Sequence, residues 1–448
     1  MKWRIVLTVL FVLTLFAGFA DLYVNTFVRK HQHAVILFVI DGLDLNTLNL
    51  ARQQSGRTPV RGEPDDPLIG DTRRRVAYRS GMLNLDTFWN IALLSIQQPG
   101  QPVPDEGVNA TALACGQRVE NGFVAVNNRN EALRSLIYVA EQTQRATGLV
   151  TTSSLVQPVP VAFYSTTNGT PDPYRNANDL LYSGIDVVLG GGEQYFIPAH
   201  TGNEEGRHDG RNLLEEAKGL GYTMLHTRDE LNNVSTWKHK LFGIFTPGQF
   251  DFPSLQPNHP KQPSLAEMTR VAISSLNYNL EGYFLVVEDG LAARAAEQNL
   301  GRLAVNDVAE ADEAIETAVE YAGPDALVMV TNNYSLGALG QVPAPSPTDL
   351  VALPDSTKAP AAPPSWAAGP GGPIATRAQA TWLRQRYATG GFSTNAPGLL
   401  QPQPALRFQI RAPATSEPAW MASRGEGSSQ LRGFFNNTDV FDLISEQF

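Results

Sequence analysis

One cysteine in 448 residues, Cys115, excludes any disulfide within the chain. A secreted eukaryotic domain of this size usually carries more. Charge is also scarce: charged residues make up 17% of the chain, whereas a disordered chain needs far more. The net charge of −10 lacks the basic excess that general nucleic-acid binding requires, so no nucleic-acid partner is expected. Imidazole is rarer still. The seven histidines are His31, His33, His200, His208, His226, His239 and His259, and none follows residue 259. No repeat of 20–50 residues is evident. What is plentiful is apolar: 42% hydrophobic residues suffice for one large α/β domain or two modest ones. Cys115, between Ala114 and Gly116, reads as a small buried residue.

The amino terminus has the layout of a secretory signal. Lys2 and Arg4 precede an apolar run from Ile5 to Ala20, with small residues at Gly18 and Ala20 for cleavage. Beyond Asp21, the apolar residues Leu22, Tyr23, Val24, Phe27 and Val28 extend the run towards the length of a membrane span. Both readings place the protein outside the cytoplasm: a periplasmic or extracytoplasmic protein, anchored through residues 5–28 if uncleaved.

His33–Ile40 is a continuous apolar run ending at Asp41-Gly42, which reads as a strand buried on both faces of a parallel sheet. Strand patterns recur at 147–152, 185–189, 241–245, 283–287 and 326–330, with helical patterns at 131–144, 210–220, 264–280 and 303–322. The last of these is read with its Asp, Glu and Ala facing solvent. Strands alternating with helices predict a mostly parallel, doubly wound sheet flanked by helices. Residues 341–372 crowd proline, alanine and glycine, which predicts an extended loop. The expected organisation is a leader or anchor over 1–32, a core over 33–340, a Pro/Gly-rich insertion over 341–405, and a closing strand and helix over 406–448. Phe408–Ile410 is the expected strand.

Ordered landmarks carry a resemblance. Phe38-Val39-Ile40-Asp41-Gly42-Leu43, Val103-Pro104-Asp105-Glu106-Gly107-Val108-Asn109-Ala110-Thr111-Ala112, Asn121–Val126, Gly148–Thr152, Pro263–Met268, Phe284–Gly290 and Arg432-Gly433-Phe434 follow one another as in the alkaline phosphatase family. The chain resembles that family over roughly 33–340 and 415–448. The resemblance implies an alkaline phosphatase-like fold, a serine nucleophile, two zinc ions and a third metal site. Zinc takes at least three protein ligands, and a metal pair holds both attacking and leaving oxygens.

Matched position by position, most of that chemistry is missing. Asp41 keeps the bridging carboxylate and Glu288 the carboxylate of the third site. Glu106, behind Asp105, stands where the resemblance places the serine. Gln157-Pro158-Val159-Pro160 stands where the resemblance places a His-Ala-Thr-Pro-like segment, losing two third-site ligands. Ala293 and Glu297 replace an Asp and a His, and Asn333-Tyr334 replaces an Asp-His pair. The phosphate-clamping arginine falls near Thr170, with Arg175 close by. No register shift supplies imidazoles that the carboxy-terminal half does not contain.

The expected function is therefore that of a catalytically inactive, alkaline phosphatase-like envelope protein. Its role is binding, or service as a scaffold or subunit, with an envelope protein or a second copy of itself as partner. Asp41, Asp105, Glu106, Gln157, Glu288, Ala293, Glu297, Asn333 and Tyr334 form a vestigial pocket in this reading. No cofactor is expected, unless Asp41 and Glu288 hold one Mg²⁺ or Ca²⁺. The alternative is a divergent single-metal phosphate-ester hydrolase using Asp41, Glu106 and Glu288. Local roles compete with these: Asp41 as a helix cap or holder of the Asp-Gly turn, and Glu106 as a surface group or partner of an arginine such as Arg294.

Overall fold

The computed structural model describes residues 34–55, 57–60, 77–80, 82–96, 103–200, 204–235, 237–253, 261–297, 300–333, 340–341, 406–407 and 418–448, with scattered positions between 3 and 19. Tyr334, the 341–405 insertion beyond Gln341, the Phe408–Ile410 strand and most of residues 5–28 lie outside these. Among the described residues no helix is long and apolar enough to cross a membrane.

The strand β1 (Ala34–Ile40) shows why the centre of the molecule forms where it does. All seven of its residues are buried. Ala34, Ile36, Phe38 and Ile40 point into one apolar cluster, while Val35, Leu37 and Val39 point into another on the opposite face. A strand apolar on both sides must sit between two covered faces. In chain order the other strands of its sheet are β2 (Asn90–Ser95), β3 (Ala146–Ser154), β4 (Val187–Gly191), β5 (Thr223–Leu225), β6 (Leu241–Ile244), β7 (Tyr283–Asp289), β8 (Leu327–Thr331), β9 (Ala419–Arg424) and β10 (Gly433–Asn436). Their spatial order is β10-β2-β9-β8-β1-β7-β3-β4-β6-β5. Only β9 runs against its neighbours, so the mostly parallel doubly wound sheet expected from the sequence is present.

The helices are α1 (Leu45–Ser55), α2 (Glu106–Cys115), α3 (Leu136–Gln142), α4 (Pro158–Ala162), α5 (Pro173–Leu181), α6 (Leu213–Gly219), α7 (Arg228–Asn233), α8 (Leu265–Leu276), α9 (Leu291–Glu297), α10 (Gly301–Ala322) and α11 (Asp439–Ser445). The helical pattern read over 131–144 shrinks to α3. Its first residues form a turn, closed by Leu133 N–H donating to Ala125 O, and Ser135 caps the helix through Tyr138 N–H. Ahead of the closing helix α11 the sequence reading has no strand over 419–424, where the structure has β9, paired between β8 and β2.

One face was misjudged. In α10, Ala304, Ala311, Ala314 and Ala318 are buried in the core, not turned to solvent. Small side chains let α10 lie close against α8, α9 and α1, and burial of this alanine stripe outweighs the helix's acidic look. Asp307 and Asp312 are buried with it.

Candidate functional site

The carboxyl ends of four adjacent strands converge, the place where doubly wound sheets hold their ligands. Parallel register puts Val39 beside both Glu288 and Thr331, and Glu288 beside Thr151. Asp41, one residue past β1, is fixed by its N–H donating to Asp289 O at 2.9 Å. The following Gly42 has φ +75°, and a Cβ there would stand 2.8 Å from Ala293 Cα and 2.9 Å from Ala293 N. Asp41 does not cap α1. That role belongs to Asp44, whose Oδ1 accepts from Thr47 N–H at 2.7 Å. We expect Gly42→Ala to cost about 2–4 kcal/mol, combining left-handed strain with contact against backbone. Chemical denaturation should show it as an earlier midpoint.

Glu106 is the first residue of α2, and Asp105 is its N-cap. Asp105 Oδ1 accepts from Val108 N–H at 2.9 Å and Oδ2 from Gly122 N–H at 2.6 Å. With the capping task done by Asp105, the Glu106 side chain is left to the site. Burial, then the charges of Glu297 and Asp105, push its carboxyl up to about 7, against a hydrogen bond from the Val159 backbone. It does not pair with Arg294. That guanidinium donates to Phe250 O at 2.9 Å and lies over the Phe252 ring, and burial lowers its pKa.

Asp41 and Glu288 lie behind Glu106. Burial, followed by the charges of Glu106 and Glu288, drives Asp41 well above the usual carboxylate range, with a partly compensating hydrogen bond from Asn333. Glu288 is pushed to about 8, chiefly by burial. Its Oε2 accepts from Thr151 Oγ1 and its Oε1 from Ser153 Oγ at 3.0 Å. Asn333 Nδ2 donates to Glu106 O at 3.2 Å, so the amide ties the head of α2 to the end of β8. Oδ1 of Asp41 and Oδ1 of Asn333 are buried without a hydrogen-bond partner.

The structure thus brings Asp41, Asp105, Glu106, Glu288, Glu297 and Asn333 to one locus. Ala293 packs its backbone under Gly42. Gln157 lines the cavity in front of Glu106, while Tyr334 lies outside the described residues. Arg175 is turned aside, donating to Thr166 Oγ1 at 2.8 Å and lying 3.5 Å from Asp179. The cavity has a volume of ≈ 390 Å³ and is bordered by Asp105, Glu106 and Gln157, with walls that include Pro158, Pro171, Pro173 and Tyr195. Among the described residues no Lys, Arg or His lines it.

Two buried acids escaped the sequence reading. Asp289 accepts from Thr152 Oγ1 at 2.6 Å, and Asp307 of α10 lies beside it. Burial, with the Asp289 charge next, raises Asp307 well above its ordinary range. Asp289 was visible in the Glu288-Asp289-Gly290 turn. Asp307 was hidden by an acidic helix that looked solvent-facing.

The family model for alkaline phosphatase matches residues 32–359. The chain belongs to the alkaline phosphatase family. It is 27% identical over 356 residues to an alkaline phosphatase of Gadus morhua, covering 70% of this chain and 71% of that one. It is 27% identical over 350 residues to a protein named membrane-bound alkaline phosphatase from Bombyx mori, covering 68% of this chain and 60% of that one. The solved alkaline phosphatase of Thermus thermophilus superposes with a TM-score of 0.70 at 21% identity, over 94% of this chain and 93% of that one. It shares the fold.

Alkaline phosphatases normally work with zinc and magnesium. The described residues at this site do not fit a zinc pair. Among the described residues no three His, Cys, Asp or Glu groups are placed to share an ion. Ala293 offers only a methyl group, both Glu288 oxygens accept hydroxyl protons, and Asn333 turns its amide nitrogen towards Glu106 O.

Proposed function

We propose that this member of the alkaline phosphatase family does not hydrolyse phosphate esters and acts by binding, as a scaffold or subunit in the cell envelope. The observation that carries this reading is Glu106. A carboxyl heads α2, facing Asp41 and Glu297, and among the described residues no cationic side chain lines the cavity in front of it. Transfer of a phosphoryl group needs positive charge around the equatorial oxygens. Once Glu106 ionises, above about pH 7, a phosphate meets like charge there, worth roughly 4 kcal/mol of repulsion per pair of unit charges at 4 Å and an effective dielectric of 20. The single-metal hydrolase alternative draws on Asp41, Glu106 and Glu288, but lacks the same cationic clamp.

Support for a binding role comes from the sheet edge. Trp89, just ahead of β2, and Ile91 and Leu93 within it recur at every second position, and Phe434 of β10 pairs with Leu93. All four are exposed, and a contiguous apolar face of this kind marks an interaction surface. The partner is an envelope protein or a second copy of the chain, and the amino-terminal apolar run holds the protein at the extracytoplasmic side. The Bombyx mori relative's name is consistent with that placement.

The test is turnover of an aryl phosphate by the purified full chain supplied with Zn²⁺ and Mg²⁺. We expect no rate above that of Asp41→Ala. Turnover that Asp41→Ala abolishes overturns the reading.

A further inference from the structure

We propose that the end of the sheet opposite the Glu106 cavity is a docking face for the surface of an anionic phospholipid bilayer. This rests on the reading that the amino-terminal apolar run holds the protein at the membrane, and it assigns the part of the fold that lies against the lipid. Parallel register gathers the starts of the strands at that end. Ala34 stands beside Tyr283, Tyr283 beside Ala146, and Leu241 between Val187 and Thr223. Only five residues, 29–33, separate Val28 from Ala34, and fully extended they reach about 20 Å. A tether that short brings the bilayer to the amino ends of the strands. The cavity, at their carboxyl ends, then faces away from it.

A second observation is the chemistry displayed there. Trp237 is 84% exposed and Leu280 64%, and Tyr278 and Leu220 are exposed as well. They belong to the loops that feed β6, β7 and β5, and these loops are joined. The His239 ring stacks on Tyr278 with centroids 3.7 Å apart. Thr223 N–H donates to Lys240 O at 2.8 Å, and the Lys240 ammonium lies over the Tyr222 ring at 5.1 Å. The result is a fixed corner that displays a tryptophan and a leucine together with two exposed amines, Lys238 and Lys240. The half-buried acids beside it are engaged inward: Asp186 accepts from Thr147 N–H at 3.0 Å and Glu141 from Thr147 Oγ1 at 3.2 Å. Exposed carboxylates at this end, Glu281 and Asp325, stand further along, before β7 and β8. An indole held at headgroup level and amines set against lipid phosphate are the pairing by which interfacial proteins grip a leaflet. Four strand spacings of about 4.8 Å separate β6 from β1, so tether and corner meet one bilayer surface.

The test is tryptophan quenching in the full chain, reconstituted into vesicles of phosphatidylcholine and phosphatidylglycerol whose phosphatidylcholine is brominated in the upper acyl chain. The Trp237 contribution is the wild-type emission less that of Trp237→Phe. It should fall by about half or more, because an interfacial ring sits roughly 5–10 Å deep, at the level of the bromines. Lys238→Gln, an exposed change, should lower the ratio of docked to undocked chains about 5-fold, the weight of one basic group near an anionic leaflet. Thr170→Trp in the Trp237→Phe background places an indole beside Pro171 of the cavity wall, and its emission should not change with bromination. The inference is overturned if Trp237 keeps its emission in the brominated vesicles, or if the indole at position 170 is quenched as strongly. Trp237 that is shielded from aqueous acrylamide yet unquenched by bromine marks a protein partner or a second copy on this face, and also overturns it. Retention in the vesicles with an unquenched Trp237 overturns this inference alone, whereas release of the chain by an alkaline wash overturns the membrane placement beneath it.

Discussion

Raising the pH from 5 to 8 in chelator-containing buffer is expected to weaken the fold by several kcal/mol. The carboxyls of Glu106 and Glu288 are pushed up to about 7 and about 8, and Asp41 lies well above its ordinary range. Their folded-state pKa values exceed the unfolded ones, so the native chain holds protons that the unfolded chain has released. Stability is then full below about pH 4.5 and is lost as the pH climbs through 7 and 8. Each such proton contributes a slope of about 1.4 kcal/mol per pH unit. Glu288 is the cleanest case, being 1% exposed, and its share is on the order of 4 kcal/mol. Replacing it with glutamine should cost about 1 kcal/mol at pH 5, where one hydroxyl loses its acceptor. At pH 8 the same change should stabilise, because no charge has to be buried. Guanidinium titrations at the two pH values measure both arms. A wild-type midpoint that rises or stays flat across this interval rules the account out.

Asp312→Ala is expected to destabilise the protein by about 3–5 kcal/mol at neutral pH. Asp312 is 5% exposed and fastens a distant loop to α10. Its Oδ2 accepts from Asn84 N–H at 2.7 Å and Asn84 Nδ2 at 3.0 Å, and its Oδ1 from Leu85 N–H at 2.9 Å. Removing the carboxylate leaves the buried backbone N–H groups of Asn84 and Leu85 without acceptors, each costing about 1–3 kcal/mol, while Asn84 Nδ2 keeps Asp312 O and Glu316 Oε2. Asp312→Asn keeps one oxygen and should lose less than half as much. Urea unfolding checks both.

These expectations also show what was legible before the structure. The runs Ala34–Ile40 and Tyr283–Asp289 announced themselves because interior parallel strands are apolar on both faces, and Asp41 and Glu288 could be placed because each ends such a run. Glu106 could be located by its neighbours from Val103 to Ala112, but its orientation could not. Whether the helix is capped by Asp105 or by Glu106 depends on which carboxylate reaches Val108 N–H. Asp307 and Asp312 were illegible for a different reason. In α10, alanines and acids alternate in a pattern that fits an exposed helix as well as a buried one, and only the closeness of α8 and α9 decides. The strand Asn90–Ser95, one in from the edge, carried a two-residue alternation too short to stand out, and it gains its identity from β9, more than 300 residues later in the chain.

The lone thiol has a practical consequence. Cys115 is buried, its Sγ–H pointing at Ala162 O, and burial pushes its pKa up to about 12. A thiolate is the species that reacts with maleimides and spin labels, so the native chain is silent towards both. Any cysteine engineered at the cavity rim becomes a unique attachment point. Distances from it to a labelled binding partner can then be read without first rebuilding the interior.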